Sequence, residues 1–504
     1  MPHDRCLPAL LDALPQLSSL AARHGADLDA PLTGVTQDSR AVVPGGVFVA
    51  VLGFSVDGHA FLAEARAAGA ALLVVQSDKR DVWQPLVDDG ASLLELPDTR
   101  IALPALAAAY HDFPARKLTV TGVTGTDGKT TTTYLLRSIL EGAGHPTGLI
   151  GGVQFKVGDD WRWNQITQTS PEADLMQAML AEMVEDGQTH VALEATSHGL
   201  ALHRLDYCDF DVAVFTGLSD DHLDFHGTRE VYLDAKLDLF RALSDGGAGV
   251  VFADEPQLDA IAAASSAPLT RVSFENSGAD VSLSDVQTSA IGSTFRVATP
   301  AGAYGTRIQL PARFNLRNAL SAAGAAYVLG CPITAIADGL RLVDGVPGRM
   351  ERIDAGQAFG VIVDAAATEA ALRTVLEAVK PFVEGRRIVV FGCAGERDIA
   401  RGEGMGRAAA ELADLSILTN ENPRSADPVE LVATIARAMQ SQGANEPNDF
   451  EQQPDRRAAI ARAFELAEPD DLVLIAGKGA EQTMIYADHT DPWDDRRVAR
   501  ELLE

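Results

Sequence analysis

Cysteine and lysine are scarce in this 504-residue chain, and long apolar runs are missing. The cysteines Cys6, Cys208, Cys331 and Cys393 stand far apart with no CxxC pair, which excludes a disulfide framework and a cysteine-ligated structural zinc. Buried free thiols in a reducing cytoplasm are the expectation. Lysine occurs only at Lys79, Lys117, Lys129, Lys156, Lys236, Lys380 and Lys478, so arginine carries most of the positive charge and each lysine can be inspected singly. No stretch reaches the roughly 18 apolar residues of a membrane span. The start, Met-Pro-His-Asp, lacks the basic and apolar regions of a signal peptide. A soluble cytoplasmic protein with no membrane partner is expected. Positive charge is short overall, with 41 Lys+Arg against 71 Asp+Glu and a net charge of −30. Such a surface repels polyanions, because nucleic-acid binding depends on cations neutralising phosphates. Nucleic acid is excluded as a partner, and any phosphate-bearing ligand must be small and held by locally placed cations.

Apolar residues make up 46% of the chain, and the length suits about three domains at roughly 150 residues each. The runs Val47–Val51 and Ala71–Val75 read as short buried strands with a helix from Phe61 to Ala71 between them. This small α/β unit ends near Phe113-Pro114, which sets a first domain at 1–113. A strand at 118–123 then enters a Gly-rich turn and a helix with Leu135, Leu136, Ile139 and Leu140 at helical spacing. Apolar runs at 191–193, 212–215 and 250–252 continue the alternation of strand and helix, which indicates a parallel sheet covered on both faces. Between Asp280 and Leu310 the texture becomes that of antiparallel strands, and a helix follows from Asn315 to Leu329. Turn residues at Asp344-Gly-Val-Pro-Gly mark a second boundary, giving a central domain at 114–343 and a last domain at 344–504. Strand candidates at 361–363, 388–391, 415–418 and 472–475 make the last domain a second doubly wound sheet, with ligands expected beyond the carboxyl ends of its strands.

The strongest local signal is Gly125-Thr126-Asp127-Gly128-Lys129-Thr130-Thr131, after a strand and before a helix. There, backbone N–H groups and the positive helix end cradle phosphates, Lys129 reaches the terminal phosphates, and Thr130 offers a hydroxyl to Mg²⁺. The strict pattern would place glycine at 123, where this chain has Val123. The central domain thus reads as P-loop ATPase-like.

Thr124-Gly-Thr-Asp-Gly-Lys-Thr-Thr-Thr closely resembles the nucleotide loop of the Mur ligases, ATP-dependent amide-forming enzymes of peptidoglycan precursor synthesis. Further segments match that family in order: Leu193-Glu-Ala-Thr-Ser-His-Gly-Leu, Leu218-Ser-Asp-Asp-His-Leu-Asp-Phe-His-Gly, Asp234-Ala-Lys-Leu, Phe314-Asn-Leu-Arg-Asn, Pro347-Gly-Arg-Met-Glu, Asn422-Pro-Arg and Gly477-Lys-Gly-Ala-Glu. Asp38-Ser-Arg with Gly46-Val-Phe-Val-Ala resembles the UDP-sugar domain of the tripeptide-synthetase branch. The resemblance spans the chain and implies three domains: a small N-terminal α/β UDP-binding domain, a central P-loop ATPase-like parallel sheet and a C-terminal doubly wound Rossmann-like domain.

It also implies a set of site residues. Glu194 ends an apolar strand where a lone carboxylate is costly to bury, which a hard ion shared with Thr130 would explain; the alternative is a solvated strand-end acid. By resemblance His222 binds a second metal and Lys236 is carbamylated. A desolvated lysine can be neutral and react with CO₂, which converts a cation into an anionic metal ligand; the alternative is an exposed helix lysine. The implied metal set is Thr130, Glu194, His222 and Lys236. Lys129, Lys236, Glu194 and His222 would carry catalysis, and Asn318, Arg349 and Asp364 would join residues 125–131 around ATP. Ser39, Thr169, Ser170, Ser197 and Arg204 resemble contacts to UDP-N-acetylmuramoyl-dipeptide. Asn420-Glu-Asn-Pro-Arg424 resembles the Asp-Asn-Pro-Arg motif for meso-diaminopimelate, with Arg424 facing the distal carboxylate. Arg397, Glu421, Asn422, Gly477 and Glu481 would complete that site, Glu481 facing an ammonium.

The implied reaction is amide formation through an acyl phosphate, with ATP, Mg²⁺ and a carbamate on Lys236, by an enzyme expected to be a monomer. L-Lysine or L-ornithine as the amine, a related ligase acting on folate or a polyamide, and a non-catalytic nucleotide-binding scaffold are the alternatives. The family's aromatic and histidine are replaced at Ala365 and Ala367, its second histidine at Ala480, a glutamine at Leu202, a glycine at Ala394 and an aspartate at Glu421. All but Leu202 lie in the last domain.

Overall fold

The computed structural model describes residues 5–25, 28–54, 56–166, 168–274, 278–395 and 399–504. It divides into two compact units, Met1–Lys129 with Leu140–Val272 and Gly324–Cys331, and Thr130–Ile139 with Ser273–Ala323 and Pro332–Glu504.

The first unit holds two sheets. Strands β1 (Ala22–His24), β2 (Val35–Thr36), β3 (Val47–Val49), β4 (Leu72–Gln76) and β5 (Leu93–Leu96) pair in the order β1-β5-β4-β3-β2, all parallel except β1. Both faces of the central strands β3 and β4 are covered, so these read as continuous apolar runs rather than alternating. Val47, Val49, Leu72 and Val74 pack into one core, and Phe48, Leu73 and Val75 into the other. The helix that sequence placed at 61–71 is shorter, Leu62–Ala67, because a 3-10 turn takes Phe61 at its start and Gly69, at a φ of 99°, turns the chain out of the helix at its end.

The second sheet of this unit begins with β6 (Thr119–Thr124), β7 (Thr147–Ile150), β8 (Gln154–Val157) and β9 (Asp160–Trp163). It continues with β10 (His190–Glu194), β11 (Phe210–Phe215), β12 (Leu243–Phe252) and β13 (Leu269–Phe274). Parallel pairing runs β13-β12-β11-β6-β10-β7, and the hairpin β8-β9 continues it antiparallel. The three neighbours β11, β6 and β10 end at Phe215, Thr124 and Glu194, so their carboxyl-end loops emerge side by side. That edge is where an open α/β sheet binds ligands.

In the second unit, β14 (Val281–Ser289), β15 (Gly292–Thr299) and β16 (Gly302–Ile308) form the expected antiparallel meander. The last sheet comprises β17 (Glu351–Arg352), β18 (Gly360–Asp364), β19 (Arg387–Cys393), β20 (Leu415–Asn420), β21 (Phe450–Gln452) and β22 (Leu472–Ala476), in the order β17-β18-β22-β19-β20-β21. Its strands alternate between two cores: Ile362, Val389, Phe391 and Leu474 face one, and Val361, Val363, Ile388, Val390 and Ile475 the other. Each such side chain taken fully out of water contributes about 1.5–3 kcal/mol. A short hairpin, β23 (Thr483–Ile485) and β24 (Thr490–Pro492), precedes the last helix, Asp495–Leu503.

All four cysteines are free thiols, with Cys208, Cys331 and Cys393 buried. Among the described residues no helix is long and apolar enough to cross a membrane.

Candidate active site

The phosphate-type loop leaves β6 through two glycines at positive φ, Gly125 at 147° and Gly128 at 87°. A Cβ on Gly125 would lie 2.0 Å from Thr216 Oγ1, so only glycine fits against the loop that follows β11. Thr126 fastens the two loops together: its N–H donates to Gly217 O, its Oγ1 to Ser219 O, and it accepts from Ser219 N. Asp127 O accepts from Thr216 Oγ1. The helix Lys129–Gly142 begins at once, with Thr130 and Thr131 buried in its first turn. Lys129 folds back on the loop, Nζ donating to Gly125 O at 3.0 Å and Thr126 O at 2.8 Å.

Below the loop runs the helix Arg229–Arg241, capped by Thr228, whose Oγ1 accepts from Val231 N; such a cap is worth about 1 kcal/mol. It presents Tyr232 and Lys236 one turn apart on one face. Lys236, 1% exposed, donates from Nζ to Gly125 O at 2.8 Å and sits 4.3 Å from the centre of the Tyr232 ring. Burial, and then the charge of Lys129, hold its ammonium well below the ordinary lysine range, against weaker support from Asp221 and Asp127. The sequence alternative of an exposed helix lysine is therefore corrected. Tyr232 was missed because a tyrosine at helical spacing reads as core. Its hydroxyl lies 3.2 Å from Thr126 Oγ1, so it braces the same loop.

Glu194, at the end of β10, is 2% exposed, which removes the solvated-acid alternative. Its Oε1 accepts from Gly152 N at 2.9 Å. His222 takes a left-handed conformation (φ 53°) ahead of the short helix Leu223–His226, with Nε2 3.4 Å from Asp221 and its ring 4.7 Å from that of His198. Burial lowers the pKa of His222, and burial with the neighbouring His222 and His226 takes that of His198 to about 4. Among the described residues no three His, Cys, Asp or Glu side chains converge to hold a metal ion. A metal here would have to draw on other donors, as the expected set does with Thr130 and a modified Lys236.

The residues expected to meet the muramoyl peptide are linked. Ser170 Oγ donates to Glu194 O at 2.9 Å and accepts from Thr196 N, which ties its loop to the end of β10. Thr169 lies against Gly152, and Ser197 Oγ is 3.0 Å from His226 Nε2. Arg204 pairs with Glu172 at 2.6 Å. Ser39 donates to Glu64, and its loop is anchored where Asp174 accepts from Thr36 Oγ1 and Gln37 N. In the same unit, Leu52, Gly53, Phe54, Gln76, Pro97, Asp98 and Arg100 line a hollow of about 350 Å³, with Phe54 73% exposed.

In the second unit, Asn318 is buried and donates to Asn315 Oδ1. Both oxygens of Asp364 are engaged locally, Oδ2 by Met350 N at 2.7 Å and Oδ1 by Ala366 N at 2.8 Å, so Asp364 holds the Gly348-Arg349-Met350 loop. That loop packs backbone to backbone against Gly479 and Ala480: a Cβ on Gly348 would lie 2.1 Å from Ala480 N, and one on Gly479 2.6 Å from Ala365 Cβ. Small residues at 365 and 480 thus belong to a tight contact between the two loops.

The loops after β20 and β22 bring Glu421, Asn422, Gly477 and Glu481 together. Asn422 Nδ2 donates to Glu481 Oε2 at 3.0 Å, and a Cβ on Gly477 would lie 3.1 Å from Glu421 Oε2. Lys478, fully buried, donates to Glu421 O, Asn422 Oδ1 and Glu481 Oε2. Glu481, expected to face an ammonium, therefore already holds one from the protein. Burial pushes the Glu421 carboxyl up, partly offset by Arg401. Arg424 has a positive φ of 54° and donates its N–H to Ile485 O, while its Nε is buried with no hydrogen-bond partner. Arg397 lies outside the described residues.

Comparison with known proteins agrees with this arrangement. Residues 31–111 match the model described as Mur ligase family, catalytic domain; 123–326 match Mur ligase middle domain; and 348–479 match Mur ligase, glutamate ligase domain. The UDP-N-acetylmuramyl-tripeptide synthetase of Roseiflexus sp. (strain RS-1) is 41% identical over 493 residues, 95% of this chain and 96% of that protein. The UDP-N-acetylmuramoyl-L-alanyl-D-glutamate–2,6-diaminopimelate ligase of Streptomyces coelicolor is 40% identical over 502 residues, 99% and 98% of the two chains. A solved structure of a ligase with that same name superposes with a TM-score of 0.64 at 29% identity, over 95% of this chain and 96% of the other. At 20% identity, a MurF ligase from Thermotoga maritima in complex with ADP shares the fold, with a TM-score of 0.61 over 93% and 96% of the chains. Matched by three consecutive models between residues 31 and 479, and over nearly its whole length by relatives at 40% and 41% identity, the chain belongs to the Mur ligase family.

Proposed function

We infer that this ligase joins meso-diaminopimelate to UDP-N-acetylmuramoyl-L-alanyl-D-glutamate, with ATP as the driving substrate. The observation that carries the reading is the loop Glu421–Arg424. It carries Glu421, Asn422 and Arg424, the last with a buried Nε that has no hydrogen-bond partner, in a chain 40% identical to the Streptomyces coelicolor diaminopimelate ligase. A planar fork suits the distal carboxylate that separates diaminopimelate from lysine and ornithine.

In this reading residues 1–113 bind the UDP-sugar, 114–343 bind ATP and 344–504 bind the amino acid. Lys129 exchanges its two loop carbonyls for phosphate oxygens, and the N–H groups of residues 125–131 surround the phosphates. Asn318, Arg349 and Asp364 are the remaining residues assigned to the nucleotide, Asp364 by fixing the loop that carries Arg349. Ser39, Thr169, Ser170, Ser197 and Arg204 hold the UDP-dipeptide, and the open face of Phe54 offers a stacking surface to a flat base.

Magnesium fits the donors proposed for it. Glu194 is a buried carboxylate that accepts from the Gly152 N–H, and Lys236 is a desolvated amine hydrogen-bonded to a backbone carbonyl, with Asp221 and Asp127 giving it only weak support, which suits carbamylation. Thr130, Glu194, His222 and carbamylated Lys236 would hold the metal, which supplies charge neutralisation for phosphoryl transfer. The γ-phosphoryl group passes to the substrate carboxylate, the deprotonated amine attacks the acyl phosphate, and phosphate leaves.

The test is a phosphate-release assay with the UDP-dipeptide, ATP and a panel of amines. Turnover should require meso-diaminopimelate. Stimulation by lysine or ornithine alone would overturn the specificity, and ATP binding without release for any amine would favour a non-catalytic scaffold.

A further inference from the structure

Beneath the two loops assigned to the amino acid lies a buried ion pair that the reaction scheme leaves unused. Arg456 opens the helix Arg456–Leu466, whose cap Asp455 accepts from Ala458 N. The side chains of Arg456 and Asp495 are 1% and 0% exposed. They meet as a parallel fork, Nε to Oδ1 at 2.8 Å and Nη2 to Oδ2 at 2.7 Å. Trp493 Nε1 donates to the same Oδ1 at 2.8 Å, so the carboxylate is held from a second side.

The guanidinium has two further acceptors. Nη1 donates to Asn420 O at 3.0 Å and Nη2 to Ala476 O at 2.9 Å. These carbonyls belong to the final residues of β20 and β22. The loop Glu421–Arg424 departs from the first and Gly477–Glu481 from the second. The two strands are not neighbours, because β19 runs between them, and no ladder bond joins their ends. Two full strand spacings amount to about 9.6 Å, and the bonds of 3.0 and 2.9 Å hold the two end carbonyls closer than that, within the span of one guanidinium. Lys478 makes a second link further out, to Glu421 O and Asn422 Oδ1.

Stability alone is a poor account of this pair. Replacing a buried ion pair by apolar residues is often neutral or stabilising, whereas removing one partner is costly. The observed bonds instead fix a distance. We propose that Arg456 is a positioning residue for the amino-acid site: held by Asp495, it sets the separation of the loops bearing Asn422 and Arg424 on one side and Gly477 and Glu481 on the other. This rests on the reading of those loops as the diaminopimelate site. A displacement of about 1 Å in such a site costs up to about 10²-fold.

The test uses the full-length enzyme with Arg456→Lys and Asp495→Asn, varying ATP, UDP-dipeptide and meso-diaminopimelate in turn. KM for the diamino acid should rise about tenfold or more, with the other two KM values within about twofold of wild type. Arg386→Lys alters another buried-carboxylate pair of the same domain, Arg386 with Asp471, and should leave all three unchanged. If Arg456→Lys does not fold, Trp493→Phe removes one donor to Asp495 and should raise the same KM by a smaller factor. Folded variants whose three KM values are unchanged, or rise alike, overturn the proposal. Wild-type enzyme that ignores diaminopimelate overturns the functional reading instead, before any variant is compared.

Discussion

Lys236 and Lys129 donate to one and the same oxygen, the carbonyl of Gly125, at 2.8 and 3.0 Å. Two ammonium groups converging on a neutral acceptor repel each other, and burial together with the charge of Lys129 drives the pKa of Lys236 down. A phosphate would take Lys129 away from this oxygen, and conversion of Lys236 to an anion would turn the repulsion into attraction. Lys236→Ala should therefore lower turnover by about 10²-fold or more, with part of it restored by a short carboxylate such as acetate. Full activity of the unsupplemented variant would remove the carbamate from the mechanism.

The same carbonyl belongs to a residue that tolerates no side chain. Gly125→Ala would place a methyl 2.0 Å from Thr216 Oγ1, at a φ of 147°. Relief requires moving the loop after β11, where Gly217 and Ser219 hold Thr126. A non-glycine residue in such a region costs of the order of 1–3 kcal/mol. The variant should fold but bind ADP at least about tenfold more weakly, as calorimetry would show. Wild-type affinity would mean that this loop does not hold the nucleotide.

Arg424 tests the amino-acid site from the substrate side. Its Nε is buried with no hydrogen-bond partner in the protein, and lysine cannot reproduce the two parallel donors that a guanidinium offers to a carboxylate. Loss of one charge-assisted bond, about 1.5–3 kcal/mol, corresponds to roughly 10–150-fold in KM for diaminopimelate. Arg424→Lys should show that rise and weaken discrimination against lysine as the amine. An unchanged KM would place the distal carboxylate elsewhere.

The residues that announce themselves in the sequence do so through rarity or costly placement. Lys236 stands out in a chain with so few lysines, and Glu194 because it ends an apolar strand; both are buried. The strands at 47–49, 72–76 and 119–124 are legible from continuous apolar runs, whereas β5, only four residues long, cannot be told from a helical fragment. The hairpin β8-β9 carries a mostly exposed outer strand and hides its period for that reason. Arg456 and Arg457 illustrate the limit: adjacent and chemically identical, one is buried in the fork with Asp495 and the other is exposed and pairs with Glu501. Only the tertiary fold tells them apart, since the partner Asp495 arrives from a helix far along the chain.

His111 supplies a stability prediction with a definite sign. Burial, aided by the charge of Arg5, lowers its pKa to about 4, against an ordinary value near 6.5. Above pH ~6.5 the imidazole is neutral in both states and contributes no pH dependence. Between about 6.5 and 4 the unfolded chain binds a proton that the folded chain refuses, so stability falls as pH falls and the penalty is complete below about 4. His190 and His198, also lowered to about 4, add to the slope in the same direction. The melting temperature should therefore be lower near pH ~5 than near pH ~7, and His111→Gln, which cannot titrate, should narrow that difference. Equal differences for wild type and variant would show that His111 accepts its proton in the folded protein as readily as in the unfolded chain.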